Sequence, residues 1–190
     1  MPPKQEILLQ LAKGLKYIHE MKLVHRDIKP GNVLICIDPG NQQVVMKWGD
    51  FGLSKQVNER GTYTMSEVKG TYNYFAPEIL KLLDDKRCTE NNEKKRGTVK
   101  SDVFAEGLVF GYFLLDGLHP FGATSFEILV NVRTKRPINL PSKLILEFSN
   151  NTWTIRAFSV TSFPFQRKER NSEFNRKNVR ERTRESNFIG

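Results

Sequence analysis

The chain has 190 residues and a formal net charge of +9, with 38% hydrophobic and 27% charged residues. That is enough for one domain with a real core and little more, and the composition is that of a globular chain rather than a fibrous or membrane one. The charge does not by itself argue for a nucleic-acid partner, because from Gln166 onward there are eight Lys/Arg against four Asp/Glu, so +4 of it sits in the tail.

Pro2 and Pro3 suit a helix start, and Ile7, Leu8, Leu11, Leu15 and Ile18 recur at helical spacing. The pattern predicts a helix to about Met21 with one buried face. After the loop HRDIKPGN come two short β-branched runs, 33–37 and 44–48, separated by Asp38-Pro39-Gly40-Asn41. Turn residues between such runs predict a β-hairpin. GDFG at 49–52 opens a polar segment that ends in APE at 76–78. Lys81 to Val99 is charged and polar and reads as an exposed insertion or loop. Residues 102–115, DVFAEGLVFGYFLL, are apolar almost all round, which predicts a helix in the middle of a core. HPFG at 119–122 closes it, and 125–135 reads as one more helix. Beyond Pro141 the pattern fades. Cys36 and Cys88 have no paired spacing, so neither a disulfide framework nor a zinc site follows. No signal peptide and no stretch long enough to span a bilayer is visible, so the expected location is cytoplasmic.

Phosphoryl transfer needs a group to accept a hydroxyl proton, positive charge near the migrating phosphoryl and oxygen ligands for Mg²⁺. Asp27, Lys29, Asn32 and Asp50 offer those chemistries on two short segments. HRDIKPGNVL, GDFGLSK, GTYNYFAPE and SDVFAEGLVF with HPFG occur in the order found in eukaryotic-type protein kinases, and together they resemble the Ser/Thr class over about residues 1–140. The resemblance implies a mainly α (α+β) fold, the kinase C-terminal lobe, with helices around a central buried helix and a small hairpin. It implies ATP and Mg²⁺ as cofactors and transfer of the γ-phosphate to a protein Ser or Thr.

By that resemblance Asp27 is the catalytic base, Lys29 steadies the phosphoryl group and Thr71 bridges the two. Asn32 and Asp50 are the metal ligands, and Leu34 belongs to the floor under the adenine. Asp102 holds the catalytic loop from the central helix below. His25 packs and hydrogen-bonds beneath Phe51. Arg26 points to control by a phosphorylated activation segment, with Thr62, Thr64 and Ser66 as candidate acceptors and none singled out. Glu78 of APE would pair with a late Arg, for which only Arg167 and Arg170 offer themselves. The stretch FAEGLVFGYFLLDGLHPFG is most similar to the inositol-requiring kinase/endoribonuclease family.

The sequence departs from the kinase pattern at both ends. No GxGxxG, no Lys-bearing strand and no pairing helix Glu precede the loop. Residues 1–146 therefore read as a truncated kinase domain with the N-terminal lobe absent, expected to be inactive alone. Residues 147–190 read as a basic, poorly patterned tail, for which disorder and a misread exon boundary both stay open. Two rival readings remain: a non-catalytic interaction module that binds a kinase through its exposed upper surface, and an RNA-linked role, which the irregular spacing of Trp153, Phe158, Phe163 and Phe165 disfavours. Trp48 and Phe51 read as core. His19 and His119 read as surface or satisfied histidines rather than metal ligands. Glu106, in the apolar helix, is expected to escape to solvent at a helix edge, because an unpaired buried carboxylate costs several kcal/mol.

Overall fold

Apolar residues at helical spacing bring four helices together in the computed structural model, which describes residues 1–40, 42–65, 67–84, 95–140, 144–149 and 152–157. Helix α1 runs Lys4–Glu20 and buries Ile7, Leu11, Leu15 and Ile18. It ends where Lys22 turns left-handed. Strand β1 (Leu23–Val24) leads into the 25–32 loop, which closes with a single 3-10 turn, Pro30–Asn32. Strands β2 (Val33–Ile37) and β3 (Val44–Trp48) pair antiparallel from Val33 opposite Trp48 to Ile37 opposite Val44, which is the hairpin the turn residues predicted. Strand β4 (Lys55–Gln56) returns to pair with β1. Strand β5 (Thr62–Met65) follows, then a short 3-10 turn at Tyr72–Tyr74, then helix α2 (Pro77–Asp84).

Strand β6 (Lys95–Thr98) lies antiparallel to β5 and feeds directly into helix α3 (Lys100–Leu114). This corrects the reading of 81–99 as one exposed loop: 81–84 finish an amphipathic helix, and 95–98 are backbone-paired. Residues 85–94 lie outside the described residues. Helix α4 (Ser125–Arg133) starts at a capping box, with Thr124 and Glu127 each accepting a bond from the other's backbone N–H. Such a box satisfies donors that helix geometry leaves open. Strands β7 (Leu144–Ser149) and β8 (Thr152–Ala157) form a last hairpin, where sequence pattern assigned nothing. The rest of the tail, including Phe158, Phe163 and Phe165, lies outside the described residues. Among the described residues no helix is long and apolar enough to cross a membrane.

Helix α3 is the hub. Ala105 and Val109 join Ile7, Leu11, Leu15, Ile18, Met46 and Trp48 in a cluster under α1 and the hairpin. Phe104 and Leu108 join Phe75, Ile79, Leu80, Phe121 and Ile128 on the other side. A helix with cores on both faces must be apolar all round, which explains the sequence of 102–115. Trp48 is core as expected, and its indole N–H donates to the Leu11 carbonyl at 3.0 Å. Phe51 is not: it is 46% exposed, because its ring lies on the outer side of His25 rather than inside either cluster.

Glu106 also departs from expectation. It is buried, with 8% of its surface exposed, and its Oε1 has no hydrogen-bond partner. It sits at the floor of a groove between α1 and α3, lined also by Lys16, His19 and Lys22, but makes no ion pair with them. Burial first, and the Asp102 charge one turn away second, push its pKa up to about 7, with Trp48 pulling the other way. The folded chain therefore keeps a proton that the unfolded chain releases near the ordinary 4.5. Stability from this group is full below pH 4.5 and is lost as pH rises toward 7, by about 3 kcal/mol in all. Glu106→Gln should remove that slope. Its advantage over the wild type in urea unfolding is expected to grow from near zero at pH 4.5 to about 2–3 kcal/mol at pH 8; an equal advantage at both pH values would contradict a buried neutral acid.

Candidate active site

The 25–32 loop is irregular backbone crossing a protein interior, and irregular buried backbone needs partners. Asp102, on the first turn of α3, supplies them. Its Oδ2 accepts from His25 N at 2.7 Å and its Oδ1 from Arg26 N at 2.8 Å. The His19 ring, from the end of α1, sits 3.0 Å from the same Oδ2. One carboxylate, 2% exposed, thus ties α1, α3 and the loop together. Arg26 is held in the left-handed region at φ 73, which non-glycine residues rarely adopt, and the bond to Asp102 helps to hold it there.

His25 is wholly buried. Its Nε2 lies 2.9 Å from the Gly49 carbonyl, which can only accept, so the ring carries its proton on Nε2. Its other face supports Phe51, with ring centroids 4.9 Å apart. The ring therefore links the loop to the 49–52 turn. A second link is the Gly49 N–H, which donates to the Asn32 carbonyl at 2.8 Å.

These anchors collect the charged side chains at one end of the β2–β3 hairpin. Lys29 Nζ donates to Asp27 Oδ2 at 2.6 Å and to Thr71 Oγ1 at 3.1 Å. Thr71 Oγ1 in turn donates to Asp27 Oδ1 at 2.7 Å. Asn32 Nδ2 donates to the Asp27 carbonyl at 2.8 Å and to Oδ2 at 3.2 Å. Burial of Asp27 raises its pKa, but the bonds from Lys29, Thr71 and Asn32 and the Lys29 charge outweigh that and hold it below the ordinary value. Asp27 is thus a carboxylate at neutral pH. A carboxylate oxygen accepts about two bonds. Oδ2 already has two and Oδ1 one, so Oδ1 keeps a position for an incoming hydroxyl.

Both N–H directions of the Asn32 amide are spent on Asp27, which leaves its carbonyl oxygen as the atom available to a cation. Asp50 follows Gly49 directly, is exposed, and sits at φ 60 with Oδ1 accepting from Gly52 N at 3.2 Å. An amide oxygen and a carboxylate are hard donors of the kind Mg²⁺ takes beside phosphate oxygens, so the residues present fit a magnesium nucleotide. Among the described residues no cluster of three or more His, Cys, Asp or Glu could hold a metal by itself. Leu34 is half exposed and lies over Gly49, where a Cβ would fall 2.6 Å from its Cδ1. Gly49 is therefore needed for close approach, a role that the motif GDFG contains but that spacing alone does not reveal.

Arg26 is not paired with a carboxylate or other anion among the described residues. Its Nη1 reaches the Leu53 carbonyl at 3.3 Å, its guanidinium lies 5.4 Å from the Tyr63 ring centroid, and its Nε has no partner. Tyr63 is a partner that sequence reading missed, since an aromatic in a polar segment carries no spacing signal. Thr64 is exposed and Thr62 half-buried on β5, while Ser66 lies outside the described residues. Glu78 is exposed. Desolvation still pushes its carboxyl above the ordinary value, with Lys100 pulling it down, and no described residue makes an ion pair with it. Arg167 and Arg170 lie outside the described residues. His119, by contrast, is a satisfied core histidine, bonded to the Asn73 carbonyl at 3.0 Å.

Comparison with known proteins adds a family to this geometry. The model of the protein kinase domain matches residues 3–180. The human serine/threonine-protein kinase/endoribonuclease IRE2 is 38% identical over 136 residues, which is 69% of this chain and 13% of that protein. The kinase/endoribonuclease ireA of Aspergillus fumigatus is 34% identical over 139 residues, 61% of this chain and 12% of its own. The serine/threonine-protein kinase atg1 of Dictyostelium discoideum is 31% identical over 152 residues, 80% of this chain and 20% of its own. The chain thus spans a fifth or less of the length of these relatives.

The anchoring geometry generates a stability expectation. Asp102→Ala strands two buried backbone N–H groups and should cost about 3–5 kcal/mol in chemical denaturation. Asp102→Asn keeps one acceptor oxygen and should cost less. An alanine variant as stable as the wild type would mean that the loop does not hang from this carboxylate.

Proposed function

The chain belongs to the protein kinase family, and from that premise we propose that it is the C-terminal lobe of a Ser/Thr protein kinase, built to transfer the γ-phosphate of ATP to a protein hydroxyl. The observation that carries this reading is the closed set of bonds among Asp27, Lys29, Thr71 and Asn32, next to the turn that bears Asp50. In this reading Asp27 Oδ1 orients the substrate hydroxyl and accepts its proton. Lys29, already an ammonium donor to Asp27, offers its charge to the migrating phosphoryl group. Thr71 holds both in register. Asn32 and Asp50 would hold magnesium, which when bound supplies positive charge across the phosphate oxygens. Leu34 and the turn at Gly49 form an apolar platform under the nucleotide base.

What these 190 residues do not contain is a Gly-rich phosphate loop of the GxGxxG type. Positioning is most of what a kinase contributes to catalysis. The polypeptide alone is therefore expected to turn over ATP negligibly on a Ser/Thr protein substrate.

A second reading has its own support. Leu34, Ile35, Ile37 and Phe51 are all exposed around the hairpin and the 49–52 turn. Exposed apolar groups suit a partner, and a kinase partner would use the lobe as a non-catalytic interaction module. RNA as that partner is the lesser option, supported only by the likeness to kinase/endoribonucleases and by the basic tail.

Supplying a kinase N-terminal lobe, fused or in trans, tests the first reading. Phosphotransfer should appear, and Asp27→Ala should reduce it by about 100-fold or more, as removal of a general base does. Robust turnover by the 190 residues alone, lost in Asp27→Ala, would overturn the need for the upper parts. No turnover with the added lobe, together with partner binding unchanged in Asp50→Ala, would favour the interaction module.

A further inference from the structure

The activation-segment strand is tied down by a neutral group at the point where Arg26 calls for an anion. Tyr63, at the centre of β5, is 7% exposed, and its ring is the face against which the Arg26 guanidinium rests, 5.4 Å from the centroid. A guanidinium over an aromatic face is attracted by the negative face of the ring, and more strongly where water is excluded. On the other side, the register sets Tyr63 opposite Gly97 of β6. A Cβ on Gly97 would overlap the Tyr63 ring and hydroxyl, so only glycine lets the ring lie there. The ring is therefore held between the catalytic loop and a strand that enters α3 directly.

The space around Arg26 agrees. The cleft that Arg26, Tyr63, Lys69, Thr71, Ser101 and Asp102 help to line has only about 20 Å³ of free volume, so these side chains are packed close around the guanidinium. Thr64, by contrast, is exposed and opposite Arg96, on the face of the β5–β6 pair away from Tyr63. A phosphate at Thr64 would meet Arg96 rather than Arg26. Burial pushes the Tyr63 hydroxyl above its ordinary pKa, so it remains neutral at all working pH.

We infer that Tyr63 is a positioning residue that locks β5 onto Arg26 and Gly97, so that this part of the activation segment is ordered without phosphorylation. The inference concerns the order of the segment and stands whether or not the chain transfers phosphate. It revises the expectation that Arg26 marks control by a phosphorylated segment: in this fold the guanidinium is already engaged.

Amide hydrogen exchange on the full unphosphorylated chain, with the phosphorylation state checked by intact mass, tests it. The wild type should protect 62–65 and 97–98. Tyr63→Phe keeps the ring face but loses the hydroxyl's bonds to Ser101 and Arg26, so its exchange should lie between the wild type and Tyr63→Leu. Tyr63→Leu fills similar apolar space without a ring face and should speed exchange there tenfold or more, as should Arg26→Gln, while α1 and α3 stay protected as evidence of folding. Gly97→Ala should displace the ring and act like Tyr63→Leu. The inference fails if Tyr63→Leu exchanges like the wild type, if Tyr63→Phe is as fast as Tyr63→Leu, or if the wild-type segment becomes protected only after phosphorylation by an upstream kinase.

Discussion

A single carboxylate bears the active-site end of this molecule. Asp102 leaves the first turn of α3 and takes two backbone N–H groups of the 25–27 loop and the His19 ring. Because it is almost wholly buried, its charge has no competing water, and each bond is worth more than it would be at the surface. The proposed base Asp27 and its neighbours are therefore positioned by α3 together with bonds inside the loop, from Asn32 and Lys29 to Asp27. Everything at the site, including the left-handed Arg26, inherits its geometry from that anchor.

The anchor in turn requires that α3 stay where it is. Two apolar clusters share this helix, and Phe104 and Leu108 face one while Ala105 and Val109 face the other. Burial at roughly 1.5–3 kcal/mol for a large apolar side chain makes such a helix hard to shift. The same enclosure explains Glu106. A carboxyl one turn from Asp102, almost wholly buried at the floor of a groove lined also by Lys16, His19 and Lys22, makes no ion pair among the described residues, so burial pushes it toward the neutral acid. Rigid support for the loop and a raised pKa at Glu106 are two results of one packing arrangement.

Above the anchor, the polar segment 49–78 is attached to the loop at separate points: Gly49 to His25 and Asn32, Leu53 to Arg26, Thr71 to Asp27 and Lys29, and Tyr63 to Arg26. Most of these are hydrogen bonds to charged or buried groups, which are directional. The segment also buries Tyr63, Met65, Phe75 and Ala76 in the cluster on α3, so that burial, these contacts and the short β1–β4 and β5–β6 pairings together decide its path.

Periodicity and turn chemistry were sufficient for α1, the β2–β3 hairpin, α3 and α4, because each of these is specified by its own residues: apolar spacing of 3.6, or β-branched runs around Asp-Pro-Gly. The four kinase motifs likewise named Asp27, Lys29, Asn32, Asp50, Thr71 and Asp102 as a set before any fold was known. What sequence could not supply was which side chains end up enclosed. Glu106 reads as a residue that escapes to solvent until α1 is seen to pack over it, and Phe51 reads as core until its ring is found outside His25. Residues 95–98 read as loop because KRGT has no strand pattern, and only pairing with β5 makes them a strand. The Arg26–Tyr63 contact joins positions 37 apart in the chain, with Gly97 a further 34 along. Such contacts follow from the packing of separate elements against one another, and no local pattern encodes them.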